Sequence, residues 1–148
     1  MDVYHATLED LEPVSDLFNK YREFYQQKTN VAGATSYITE RLTNQDSIII
    51  VSKDGNDYLG FAQLYPTFSS IAMQKAFILN DLYVTESARK RGVGDALLQA
   101  VKDTILQHQI FRLSLSTAMD NHAAQRLYEK HGFVRDNDFY HYQLTIEQ

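Results

Sequence analysis

From Met73 to Val84 the residues MQKAFILNDLYV have the apolar, β-branched and aromatic character of a long strand. A few residues later the chain enters ARKRGVGDALLQAV, residues 88–101, where three consecutive cations lead into Gly92 and Gly94. Beyond them Val93, Ala96, Leu97, Ala100, Val101, Thr104 and Ile105 recur at helical spacing. A strand that passes through a glycine turn into an amphipathic helix is a unit of α/β folds. It also makes an anion site. A helix N-terminus exposes about four amides without intrahelical acceptors and carries roughly half a positive charge. Glycines there let a bulky anion approach the backbone. From the residues alone, a solvated basic loop fits the same segment.

Two phosphate motifs are excluded. A P-loop requires Lys-Ser/Thr after its last glycine, and Gly94 is followed by Asp95-Ala96. A dinucleotide fingerprint requires a third glycine where Leu97 stands.

The remaining pattern fills in around that unit. VYHATL reads as a first strand with Thr7 as a helix cap, and Leu11, Val14, Phe18, Tyr21 and Tyr25 mark a helix over 8–26. A second helix is expected over 33–43. SIIIVSK and YLGFAQLYPTF read as strands joined at Asp54-Gly55, with Pro66 near a strand end or an unpaired edge. FRLSLST alternates as a strand, NHAAQRLYEKHG is a short helix stopped by glycine, and FVRDNDFYHYQLTI is expected to close the chain as a strand or hairpin. The order β-α-α-β-β-β-α-β-α-β(-β) predicts one mixed sheet with helices on both faces. At 148 residues, a single domain spanning 1–148 is expected.

Composition narrows the function. With 14 basic and 19 acidic side chains the net charge is −5, which argues against a nucleic-acid binder and suits a cationic small substrate. There is no cysteine, so thiolate metal sites and disulfides are excluded. None of the five histidines has zinc-helix spacing, so no metal is expected. No apolar run reaches the roughly 20 residues of a membrane span and no signal segment opens the chain, so a cytoplasmic location is expected.

LNDLYVTESARKRGVGDALL, with Arg89-x-x-Gly92-x-Gly94, resembles the acetyl-CoA motif of the GNAT superfamily of N-acetyltransferases. A second segment of that family follows about thirty residues on, as Asn121-x-x-Ala124-x-x-Leu127-Tyr128-Glu129-Lys130-x-Gly132-Phe133. QLYPTFSS and ILNDLYV are similar to the branch that holds fungal histone, polyamine and amino-acid acetyltransferases. The resemblance implies the acyl-CoA N-acyltransferase fold, with a splay after the fourth strand, and acetyl-CoA as co-substrate. Leu82, Tyr83 and Val84 would pair with the pantetheine amides. Arg89, Lys90, Arg91, Gly92, Val93, Gly94 and Asp95 would hold the pyrophosphate, with the amides from Arg91 to Asp95 making the contacts. Asn121 would contact the pantetheine arm, and Tyr128 would face the thioester sulfur. Homodimers are common in this superfamily.

Acetyl transfer requires a neutral amine, a stabilised carbonyl oxygen and a departing thiolate. An alkylamine of pKa ~10.4 must lose its proton, and Asp81 is the candidate acceptor. Asn80 stands where several relatives carry Glu. A backbone amide near Leu82 would meet the oxyanion. Tyr128 is the candidate acid, although a phenol of pKa ~10 protonates a thiolate of pKa ~8.5 only uphill, by about 2 kcal/mol. A hydrogen bond to the developing charge describes its role better. Tyr25, Tyr65, Phe68 and Asp81, with Tyr21 and Tyr83 nearby, are the candidate acceptor-binding residues, since aromatic faces attract ammonium groups. Three alternatives stand beside a small-amine acetyltransferase: a CoA-binding regulatory module without turnover, an enzyme acting on protein lysines or N-termini, and an interaction domain.

Overall fold

The computed structural model describes residues 1–147. By internal contacts the chain divides into two compact units, Met1–Ser116 and the segment from Thr117 on. In the first unit β1 (Asp2–His5) is followed by a 3-10 turn at Leu8–Asp10, then by α1 (Leu11–Phe24) and α2 (Val31–Asn44). Strands β2 (Ile48–Asp54), β3 (Asp57–Ser69) and β4 (Gln74–Val84) come next, then α3 (Val93–Gln107) and β5 (Leu113–Ser114). The sheet order is β1-β2-β3-β4-β5, antiparallel except for the β4–β5 pair. The second unit contains α4 (His122–Lys130).

Helices α1 and α2 lie on one face of the sheet and α3 on the other. Val14, Leu17 and Phe18 of α1 and Ala34 and Ile38 of α2 pack with Ile49, Val51 and Phe61. The alternate residues Ile50 and Ala62, paired in register, point to the other face, where α3 buries Val93, Leu97, Leu98, Val101 and Ile105. Strands covered on both sides need apolar residues at every position, which explains the unbroken Ile48–Val51 run. Pro66 lies where β3 has run past its last β2 partner, Leu64, so its missing N–H leaves no gap in the β2 ladder.

Three expectations need correction. The first helix begins as the 3-10 turn, because Thr7 and Asp10 cap one another there, and it ends two residues early, before Gln26 at φ +66°. FRLSLST contributes only Leu113–Ser114 to the sheet, paired with Phe77 and Ile78. Among the described residues from Phe133 on there is no strand. At the start of that segment Arg135 bonds Asn137 at 3.2 Å and Asp138 N–H bonds the Asp136 carboxylate at 2.9 Å, local contacts that compete with a ladder.

A buried carboxylate ties β1 and β3 to the first helical turn. Tyr4 and Tyr58 both donate to Asp10 Oδ1, at 2.7 and 2.5 Å, and Thr7 N–H donates to Oδ2 at 3.0 Å. Burial alone would raise this carboxyl, but these donors outweigh it and hold the group below its ordinary range. Its stabilisation is therefore complete above the unfolded pKa of ~3.9 and is lost as pH falls through the lower folded value. Asp10→Asn is expected to cost about 2 kcal/mol at pH 7 by denaturant unfolding, with the difference shrinking below about pH 4. A difference independent of pH would contradict this assignment.

Candidate active site

The turn into α3 is held from several sides. Thr85 N–H bonds Leu59 O at 2.8 Å, Ala88 is fully buried, and its N–H closes the turn on Thr85 O at 3.0 Å. At Gly60 the end of β4 passes so close that a Cβ would sit 2.5 Å from the Tyr83 carbonyl oxygen and 3.3 Å from Leu97 of α3. Only glycine fits there. Gly92 caps α3 at φ +81° with no side-chain cap, and the position of its missing Cβ has no atom within 4 Å. The first bond closing the helix runs from Ala96 N–H to Gly92 O at 3.0 Å, so the amides of Gly92, Val93 and Gly94 precede the ladder. A glycine backbone facing open space at a helix N-terminus has the shape and polarity a diphosphate needs.

The cations are arranged less uniformly than their sequence suggests. Arg89 Nε donates to Val84 O at 3.1 Å, and its guanidinium lies 5.6 and 5.8 Å over the rings of Phe24 and Tyr83. Arg91 reaches Asp54 at 3.5 Å, while Lys90 is exposed, with its backbone at φ +63°. Two of the three cations thus have protein partners.

The β4 strand supplies the second component. Among the described residues β5 pairs with Phe77 and Ile78, and from Leu79 to Val84 β4 is laddered on its β3 side alone. This half-strand contains Leu82, Tyr83 and Val84, and its alternate peptide groups point away from β3. Within it, Asp81 pairs with Gln63 but Leu79 pairs with Leu64, so Asn80 is the extra residue of a bulge. The bulge puts Asp81 on the α1–α2 face with Phe61 and Tyr83, and frees the Asn80 carbonyl to accept from the Tyr21 hydroxyl at 3.2 Å.

Asp81 is 2% exposed. Asn80 Nδ2 donates to Oδ1 at 2.8 Å and Gln63 Nε2 donates to Oδ2. Burial raises its carboxyl; bonds from Gln63, Asn80 and Tyr21 oppose that, and the net position is above the ordinary carboxylate range. Around it Tyr21 packs edge-on against Tyr25 at 5.1 Å and Phe61 at 5.8 Å, and approaches Tyr83 at 6.4 Å. Tyr65 shares a 2.6 Å hydroxyl contact with Tyr37. Burial first, then the Asp81 charge, raises the Tyr25 phenol; burial, the Tyr37 bond and Asp81 do the same to Tyr65. Tyr25, Tyr65 and Asp81 are therefore brought together. Phe68 is not: three residues after Tyr65 it takes the opposite strand parity, 74% exposed.

In the second unit Asn121 caps α4, its Oδ1 accepting from Ala124 N–H at 3.2 Å. Tyr128 is half-buried and lies edge-on to Phe133 at 5.7 Å, and Gly132 stops the helix at φ +93°. Sequence reasoning missed Gln63, Ser47 and Tyr37. Of these only Gln63 left a signal, as the one amide in the apolar run 59–64.

A carboxyl raised by folding makes stability fall as pH rises from ~3.9 to the folded value, because the native state there binds the extra proton. Asp81→Asn is expected to remove that fall and to unfold at higher temperature than the parent at pH 7. Equal pH dependence in thermal melts of the two proteins would show that Asp81 is not a destabilising buried charge.

The sequence profile of the acetyltransferase (GNAT) family matches residues 11–133. The chain is 41% identical over 146 residues to the uncharacterized N-acetyltransferase YhfO of Bacillus subtilis, covering 99% of this chain and 98% of that protein. A crystal structure described as a probable acetyltransferase superposes with a TM-score of 0.92 at 39% identity, over 100% of this chain and 99% of the other. A predicted acetyltransferase from Clostridium acetobutylicum, solved with acetyl-CoA, shares the fold at a TM-score of 0.78 and 13% identity, over 96% and 95% of the two chains.

Proposed function

The chain belongs to the GNAT family of acetyltransferases, and on that premise we propose that it moves the acetyl group of acetyl-CoA to a primary amine of a small cationic acceptor. Transfer is direct, within a ternary complex, and the whole of 1–148 acts as one cytoplasmic N-acetyltransferase domain. Family members use acetyl-CoA, which supplies an activated thioester carbonyl and a diphosphate. The family match spans residues of both compact units, which supports reading them as one domain. The absence of cysteine supports direct transfer, since no thiol is present to carry the acetyl group. Among the described residues no helix is long and apolar enough to cross a membrane.

One half-strand carries the reading. Leu79–Val84 has an open edge, suited to pairing with pantetheine amides through Leu82, Tyr83 and Val84, while its face carries Asp81 among the tyrosines. The amides from Arg91 to Asp95 hold the diphosphate, with Arg89 and Lys90 adding positive potential. Asp81 attracts the ammonium group and takes its proton. A carboxyl raised by burial lies nearer the amine's own pKa than an exposed one, which makes it the better base. Tyr25 and Tyr65 offer ring faces to the cation, and Phe68 marks the outer end of the same strand. By the motif positions they occupy, Asn121 contacts the pantetheine arm through its amide and Tyr128 hydrogen-bonds the departing sulfur. With Asn121 Oδ1 occupied by the cap, its Nδ2 makes that contact.

Thermal melting with CoA, followed by thiol release over polyamines, amino acids, aminoglycosides and peptide N-termini, tests the proposal. CoA at about 100 times its Kd should stabilise the protein by about 2.7 kcal/mol, and Gly92→Glu should abolish that gain. Tyr128→Phe should turn over about tenfold more slowly with unchanged CoA affinity. CoA stabilisation with background thiol release on every amine would favour a regulatory module instead.

A further inference from the structure

Gln63 is fully buried in the middle of β3, between Ala62 and Leu64, which are themselves fully buried. An amide so placed must find partners for both of its ends. Its Nε2 donates to Asp81 Oδ2, and its Oε1 accepts from the Ser47 hydroxyl at 2.9 Å. The orientation follows from chemistry: a carboxylate only accepts, whereas a hydroxyl can donate. Ser47, Gln63 and Asp81 therefore form a chain in which every hydrogen bond points toward the carboxylate. Asn80 supplies the donor to the other oxygen.

We propose that Gln63, oriented by Ser47, is a positioning residue for acetyl transfer: its amide turns the Asp81 carboxylate toward the tyrosine-lined face and favours the ionised form that accepts a proton. This rests on Asp81 being the proton acceptor. Of the other groups that face Asp81, Asn80 and, from α1, Tyr21 also donate to it, whereas Tyr25 beside Tyr21 and Tyr65 of β3 are neutral phenols. Arg41 of α2, behind Tyr65, is paired with Asp46 at 2.7 Å and lies over the Tyr37 ring. Against the burial that raises the carboxyl, Gln63 is the foremost of the opposing donors. Without it, Asp81 would hold its proton at pH values where the enzyme needs an empty base.

The free protein, labelled with 13Cγ aspartate, gives a direct test by NMR titration, with the Asp81 resonance identified by its loss in Asp81→Asn. Gln63→Met should raise the Asp81 midpoint by about one pH unit or more, and Ser47→Ala by less. The acidic limb of kcat for acetylation of 1,4-diaminobutane should move by the same amount, with the KM for acetyl-CoA unchanged. A midpoint that stays or falls in Gln63→Met overturns the inference. Should that variant not fold, Ser47→Ala decides by the same criterion. The premise fails separately: full turnover in Asp81→Asn would remove Asp81 as the base while leaving the titration result intact.

Discussion

Where α3 begins is set by how closely β4 lies against β3 at Gly60. A side chain there would strike the Tyr83 carbonyl and press on Leu97, so any larger residue would push apart the end of the strand, the turn and the helix together. With that contact made, Val93 and Leu97 anchor the first turn of α3 in the core, and Gly92 can present its backbone outward. A helix dipole is useful to a ligand only when its N-terminus is both fixed and exposed. Burial on the sheet side fixes it, and glycine on the other side keeps it exposed.

The same strand carries a charge that works against the fold. Asp81 lies under α1 with no salt-bridge partner among the described residues, and its ionised form depends on amide and phenol donors. Buried groups with displaced pKa values concentrate at sites where proteins exchange stability for chemistry. Asp10 makes the contrast within one molecule. It is also a buried carboxylate bonded by tyrosines, yet its donors more than offset burial, and it serves the architecture.

Much of this was legible in the sequence, and the reasons it was or was not are physical. The helical spacing of Val93 to Ile105, the two-sided burial of Ile48–Val51 and the cap at Thr7 are local properties, readable one segment at a time. Asp81 could be named from its place beside Leu82 and Tyr83. Its burial could not, because that depends on a one-residue bulge at Asn80 that leaves composition and alternation unchanged. Gln63 becomes its partner only through register with a strand eighteen residues away. The neighbours of the cations were not legible either: Arg89 lies over Phe24 and Tyr83, contacts no local pattern encodes. The alternation of the closing segment reads as a strand because a strand pattern specifies a face and not a partner.

Whether the backbone amides opening α3 hold a diphosphate can be read by amide chemical-shift mapping of the 15N-labelled protein with CoA and, separately, with pantetheine. Large shifts are expected at Gly92, Val93 and Gly94 with CoA and none at those positions with pantetheine, which has no diphosphate. Saturating CoA that moves other amides but leaves these three in place would rule the diphosphate site out.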